Sequence, residues 1–162
     1  MDPADDLRLL LASRYPLLVA SMDDEARFLE IVRRAALAAG CSVWTWSVTR
    51  GLARDGFGPQ VGTADARKGI DFVTSLGDPG VFVFADAQAA FADPVFVRKV
   101  KELAMRATPG QTLVLTGPRA TVPPELEGLA LAWSLEPPSR GDRGARSPDR
   151  RRPGRSRVSG RP

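Results

Sequence analysis

The chain has 162 residues, one cysteine and no histidine, a length that suits one domain plus an appendage. Without histidine, His general bases, Ser-His-Asp triads and His-ligated zinc are excluded, and a lone Cys41 excludes an intramolecular disulfide and suits a reducing cytosol. The net charge of +4 averages two unlike parts, because residues 1–137 carry 14 Lys+Arg against 17 Asp+Glu while residues 138–162 carry nine arginines against two aspartates.

The elements alternate along the chain. Asp2-Pro3 starts a first helix whose apolar face is Leu7, Leu10 and Leu11, and Tyr15-Pro16 stops it. Leu17-Leu18-Val19-Ala20 follows as a short strand, continuously apolar as buried parallel strands are. Ser21 is predicted to cap a long helix to Ala39, with Asp24 completing a capping box and Gly40 ending the helix. Phe28, Ile31, Val32 and Ala35 form its buried stripe.

Cys41–Val48 reads as the next strand, with Trp44 and Trp46 on one face by period two, as core or interface residues. Cys41 lacks a basic neighbour to activate it and reads as a buried structural thiol. Gly51–Thr63, with Gly56, Gly58 and Gly62, reads as a mobile loop. Thr63 is expected to cap a helix from Ala64 to Leu76, and Asp78-Pro79-Gly80 to turn into the strand Val81–Ala85. Asp93-Pro94 opens a helix to about Ala107. Strands at Gln111–Thr116 and Leu129–Leu135 close the series. Five strands joined by helices predict a three-layer α/β fold: a mostly parallel five-stranded sheet with helices on both faces.

Two of these strands run out onto polar residues: Val81–Ala85 onto Asp86, and Leu113–Leu115 onto Thr116. In nucleotide-binding α/β folds such strand ends carry the magnesium-handling carboxylate and the sensor of the γ-phosphate. Yet no phosphate loop of the form G-x-x-x-x-G-K-[ST] occurs. After the first strand stands Ser21-Met22-Asp23-Asp24-Glu25, whose acidic side chains suit a helix N-terminus and repel a polyanion. Asp86 is followed by Ala87-Gln88 rather than by a second carboxylate, so it is expected to cap the following turn or make a polar contact. The Thr116 hydroxyl is equally expected to start the Gly117-Pro118 turn, and Arg119 to be a solvated surface group. Ser21, Asp86 and Thr116 are therefore vestigial strand-end positions. The fold reads as a degenerate P-loop-NTPase-like one, with no catalytic residue, cofactor or metal site of its own.

Several stretches carry a resemblance. Leu7–Leu18 followed by Asp23-Asp24-Glu25-Ala26-Arg27, then Trp46–Leu52, Pro79–Phe84, Asp93-Pro94 and Pro123–Leu126, resemble in the same order the opening of a bacterial AAA-family ATPase group. That group is related to an unassigned plastid and cyanobacterial reading frame, and the resemblance covers residues 5–137. It implies an amino-terminal, degenerate nucleotide-fold domain preceding a catalytic AAA module. ATP and magnesium are implied only for the full-length relatives, and the family's ATP-binding residues have no counterpart here. The expected role is interaction or regulation, with a protein partner or the AAA module as partner, in the cytoplasm and away from membranes, since no apolar run approaches the roughly 20 residues of a span.

Residues 138–162 depart from that pattern. They lack apolar periodicity, with Val158 their only sizeable aliphatic, and are expected to be disordered. Three readings compete for them: a solvated linker, an out-of-frame translation of GC-rich DNA that truncates the protein, and a nucleic-acid-binding tail. The abrupt change of composition favours the second. In the third, Arg150, Arg151, Arg152, Arg155 and Arg157 would contact phosphates, without aromatic residues to stack on bases.

Overall fold

The computed structural model describes residues 2–135, and the arginine segment with Arg150, Arg151, Arg152, Arg155 and Arg157 lies outside them. The chain forms α1 (Pro3–Ala12), β1 (Leu17–Ser21), α2 (Glu25–Ala39), β2 (Ser42–Ser47) and β3 (Gly51–Arg54). There follow α3 (Ala66–Leu76), β4 (Gly80–Ala85), a 3-10 helix over Ala87–Ala92, α4 (Pro94–Arg106), β5 (Gln111–Gly117), a 3-10 turn over Pro124–Leu126, and β6 (Ala130–Ser134).

Local chemistry sets most of these boundaries. The Asp2 carboxylate accepts from the Ala4 N–H ahead of Pro3, and Asp93 accepts from Val95 N–H ahead of Pro94. Each joins a side-chain acceptor to a proline at the first helical position, where no N–H is missed. Gly40 ends α2 in the left-handed conformation at φ 71°. The start of α3 differs from the sequence expectation: Asp65, not Thr63, is its cap, accepting from Arg67 N–H at 2.9 Å.

The strands assemble in the order β3-β2-β4-β5-β1-β6, all parallel except β3, which runs antiparallel to β2. The sheet thus has six strands where the sequence predicts five. The extra one comes from the glycine-rich stretch read as a mobile loop. Gly51 turns the chain back at φ 80°, and a Cβ there would lie 2.6 Å from Thr63 Oγ1, so only glycine fits. Leu52 is then buried completely beneath the loop that returns to Thr63.

Alternate side chains of the central strands enter two cores. Leu17, Val19, Phe82, Phe84, Leu113 and Leu115 face α3 and α4, where they meet Ile70, Phe96 and Val100. Leu18, Ala20, Val81, Val83 and Val114 face α1 and α2, against Leu7, Phe28, Ile31 and Val32. Burial on both faces is why these strands are apolar without alternation. Trp44 and Trp46 are core residues, stacked on Phe82 and Phe84 with ring centroids 6.1 and 5.2 Å apart. Among the described residues, no helix is long and apolar enough to cross a membrane.

Candidate functional site

In open α/β sheets, ligands bind outside the carboxyl ends of the strands where the strand order reverses. Here that point is the end of β1, which lies between β5 and β6: the chain leaves it for β2 on one side and comes back at β6 on the other. Ser21 is in register with Gly117 of β5 and Ser134 of β6, while Thr116 lies between Ala20 of β1 and Ala85 of β4. The three vestigial positions, Ser21, Asp86 and Thr116, are therefore brought to one edge of the sheet. What each does there differs from the sequence expectation.

Ser21 does not cap α2. It is the last residue of β1, and its carbonyl accepts from Leu135 N–H at 3.1 Å. The ladder continues one residue further, because Met22 N–H donates to the Gly117 carbonyl at 3.3 Å and Met22 is buried. Only Met22, Asp23 and Asp24 separate β1 from α2. The cap is Asp24, whose carboxylate accepts from Arg27 N–H at 3.0 Å while its carbonyl accepts from Phe28 N–H. Backbone donors at a helix N-terminus are what an incoming phosphate would use. In this chain a carboxylate of the chain itself already holds one of them, with Asp23 and Glu25 alongside.

Asp86 does not cap the turn that follows it. It adopts the left-handed conformation, φ 52° and ψ 41°, and makes no side-chain capping bond. Its side chain is exposed. Aspartate is among the few residues with a side chain that tolerate this conformation, so the sharp exit from β4 accounts for its presence.

The Thr116 hydroxyl does not start the next turn either. That turn is closed by the backbone, Ala120 N–H donating to the Gly117 carbonyl at 3.3 Å. Thr116 is 1% exposed, and its Oγ1 has no hydrogen-bond partner among the described residues. Arg119 sits in the same turn, exposed and left-handed at φ 54°.

A fourth residue, absent from the sequence expectation, closes the edge. The Gln88 carboxamide donates to the Pro118 carbonyl at 3.0 Å. It lies directly over Gly117, where an added Cβ would collide with it. Nothing local to Gln88 announces this, because the contact joins residues 30 apart in sequence.

The arrangement does not fit a bound nucleoside triphosphate with magnesium. The β1–α2 turn is too short for a phosphate loop, Asp24 occupies the helix N-terminus, Gln88 covers the end of β5, and the Thr116 hydroxyl is enclosed. Among the described residues, no three His, Cys, Asp or Glu side chains group as metal ligands would. Beside this edge, α2 leaves a cleft of about 200 Å³ over β2 and β3, lined by Glu25, Arg33, Thr45, Arg50 and Ala85. Arg33 on its wall is held by Asp55 at 2.8 Å, and that hydrogen bond raises its pKa.

Residues 3–135 match the family model of the SpoVK-like AAA ATPase, N-terminal domain. The chain belongs to this AAA ATPase N-terminal domain family. The sequence resemblance is thereby borne out. The chain is 23% identical over 143 residues to the uncharacterized AAA domain-containing protein ycf46 of Pyropia yezoensis, covering 86% of this chain and 29% of that protein. Among solved structures, that of Rhizobiales Trip13 aligns with a TM-score of 0.45 and 13% identity, over 79% of this chain and 48% of that one. The chain thus spans less than a third of the length of its curated relative.

Proposed function

We propose that this AAA ATPase N-terminal domain binds and hydrolyses no nucleotide of its own and serves an AAA module as an interaction and regulatory domain. The observation that carries this reading is the β1–α2 turn: three residues long, acidic, and capped by Asp24 where a phosphate loop would have to open. Cover of the Gly117 strand end by Gln88 supports it, as does the outward, left-handed Asp86. The family supplies the context of an ATPase, and the partner in this reading is the AAA module or a protein it acts on. A single cysteine suits a reducing, cytoplasmic setting.

Titration calorimetry of the full chain with ATP and with ADP, each with magnesium, is expected to give no binding at micromolar nucleotide. A saturable micromolar isotherm would overturn the first half of the proposal. Mixing the chain with an AAA module of the same family is expected to change that module's ATPase rate, and an unchanged rate at saturating chain would remove the regulatory half.

A second reading rests on the nine arginines of residues 138–162: sequence-independent binding to nucleic acid by neutralising phosphates. It predicts affinity that falls steeply with salt and is lost when residues 139–162 are deleted. Equal binding without them would eliminate it.

A further inference from the structure

The loop between β3 and α3 is anchored at several points yet turns two apolar side chains outward. Asp55 N–H donates to the Val43 carbonyl at 3.0 Å, and the Asp55 carboxylate holds Arg33 at 2.8 Å. Gln60 N–H donates to the Leu52 carbonyl at 2.8 Å. Gly56, at φ 84°, lets the chain turn so that Phe57 N–H reaches the Arg54 carbonyl at 2.9 Å. Phe57 nevertheless remains 64% exposed, and Val61 is fully exposed. The Arg54 guanidinium lies 5.5 Å from the centre of the Phe57 ring, a cation–π contact that positions the ring without burying it. An exposed aromatic residue held in place beside an arginine is the kind of group that anchors protein interfaces.

The molecule also carries a pocket of matching chemistry. It has a volume of about 520 Å³ and lies between α4 and the 3-10 turns over 87–92 and 124–126, with Phe91, Pro94 and Val97 as apolar lining and Arg98, Lys101 and Glu125 as charged lining. Arg98 is neutralised by Glu102 at 3.0 Å, and Asp93 at the head of α4 by Arg67 at 3.5 Å. Among the described residues, Lys101 and Glu125 form no ion pair, and Glu127, exposed two residues on, adds to the negative side. The pocket thus offers an ammonium and a carboxylate. The loop offers a guanidinium, Arg54, and a carboxylate, Asp55, with no other charge before Asp65.

Loop and pocket stand at opposite ends of the sheet. The loop runs outside β3, the first strand of the order, and the pocket lies beside the turn that leads into β6, the last. Lys99 of α4 pairs with Asp71 of α3 at 2.6 Å, so the pocket opens on the side of α4 away from α3. Five strand spacings of about 4.8 Å separate the two edges. Phe57 cannot reach the pocket of its own chain.

We propose that Phe57 of one copy of this chain seats in this pocket of a second copy. The ring enters against Phe91, Pro94 and Val97, with Arg54 meeting Glu125 and Asp55 meeting Lys101. A second copy is the occupant because the chain supplies both the projecting side chain and the pocket, with charges that pair rather than repel. The contact joins one surface to a different one, so each copy keeps a free loop or a free pocket and copies associate head to tail. The proposal stands whether or not the domain binds nucleotide.

A contact built on one loop is small and weak. Sedimentation velocity of the full chain, carried to high micromolar concentration, is expected to show concentration-dependent species larger than a dimer, and a monomer throughout would overturn the proposal. Phe57→Ala removes the ring, and Ala92→Trp fills the pocket from its wall. Each is expected to weaken association by about tenfold or more. An equimolar mixture of the two is expected to form a one-to-one dimer and nothing larger, since only one intact loop and one intact pocket can meet. A mixture that stays monomeric, or association indifferent to Phe57→Ala, would refute the pairing. Phe57 and Ala92 are both exposed, so the variants should keep the wild-type far-UV circular dichroism. Arg54→Glu should weaken association and Glu125→Arg in the same chain should restore it, and failure to restore would count against the proposal. Deleting residues 139–162 is expected to leave association still sensitive to Phe57→Ala. Association that vanishes with that segment, or that appears only in its absence, would overturn the proposal in favour of the arginines.

Discussion

The indole N–H of Trp46 donates to the carbonyl of Thr63 at 2.7 Å, and the hydroxyl of the same Thr63 accepts from Leu52 N–H at 2.8 Å. One buried threonine thereby ties the loop after β3 to two strands. It also closes the β3 edge, since its Oγ1 occupies a donor that another strand would otherwise use. Thr63→Val keeps the shape but removes the acceptor, leaving the Leu52 N–H buried without a partner. The expected loss is about 1–3 kcal/mol of stability, measured by urea unfolding against wild type. A loss below about 0.5 kcal/mol would show that the loop is held by packing alone.

Thr116 presents the opposite case, a buried hydroxyl with no hydrogen-bond partner among the described residues. Exchanging it for an apolar group of the same shape removes a desolvation cost without breaking a contact. Thr116→Val is expected to stabilise the domain by about 1 kcal/mol or more. If the hydroxyl instead served a bound phosphate, the substitution would weaken nucleotide binding in calorimetry, an outcome that would revive the sensor role.

Asp86 is explained by its backbone. Asn tolerates the left-handed conformation as well as Asp does, and the β-branched Val does not. Asp86→Asn is expected to change stability by less than about 0.5 kcal/mol, and Asp86→Val to cost about 1–2 kcal/mol. Equal and large losses in both, by thermal or urea unfolding, would show that the carboxylate itself is needed.

Ala107 ends α4 at φ 45° without glycine's freedom, and its side chain is exposed. Ala107→Gly is expected to raise stability by about 1 kcal/mol. Gly40, which ends α2 in the same conformation with open space around it, provides the reverse experiment: Gly40→Ala should lose a similar amount. A loss on Ala107→Gly together with a gain on Gly40→Ala would contradict the strain at both sites.

The Asp65 carboxyl lies below the ordinary carboxylate range, chiefly because the Arg67 side chain hydrogen-bonds to it and next because the Arg67 N–H does. A folded pKa below the unfolded one stabilises fully above the unfolded value of about 4, and that stabilisation is lost as pH falls through the folded value. Asp65→Asn keeps a capping acceptor and removes the titration. Wild type is therefore expected to lose stability relative to the variant between about pH 5 and pH 3. Parallel pH profiles of unfolding free energy would show that this exposed pair contributes nothing, as many surface pairs do.

What residues declare locally was legible in the sequence. The caps at Asp2 and Asp93, the stop at Gly40, the buried stripe of α2 and the continuous apolar strands each follow from backbone preferences or periodicity within a few positions. The ordered motifs up to Pro123–Leu126 sufficed for the family. The absence of a phosphate loop was equally plain. Ser21 was placed wrongly as a cap because a serine before acidic residues looks like a capping box. The true boundary depends on Met22 finding the Gly117 carbonyl of a distant strand.

The sequence by itself determined the α/β class, the two-sided burial and the missing phosphate loop, because these rest on hydrophobic patterning and on residue types that are simply present or absent. The tertiary structure alone decided the sixth strand, the cover of Gly117 by Gln88, the enclosure of Thr116 and the closing of the β3 edge by Thr63. Each of those depends on hydrogen bonds or packing between residues far apart in the chain, for which no local preference codes. Thr63 holds Leu52 and Trp46 only once the loop has closed. Among the described residues, the backbone groups of Ala130, Ala132 and Ser134 are left without a partner only once β6 has taken its place beside β1.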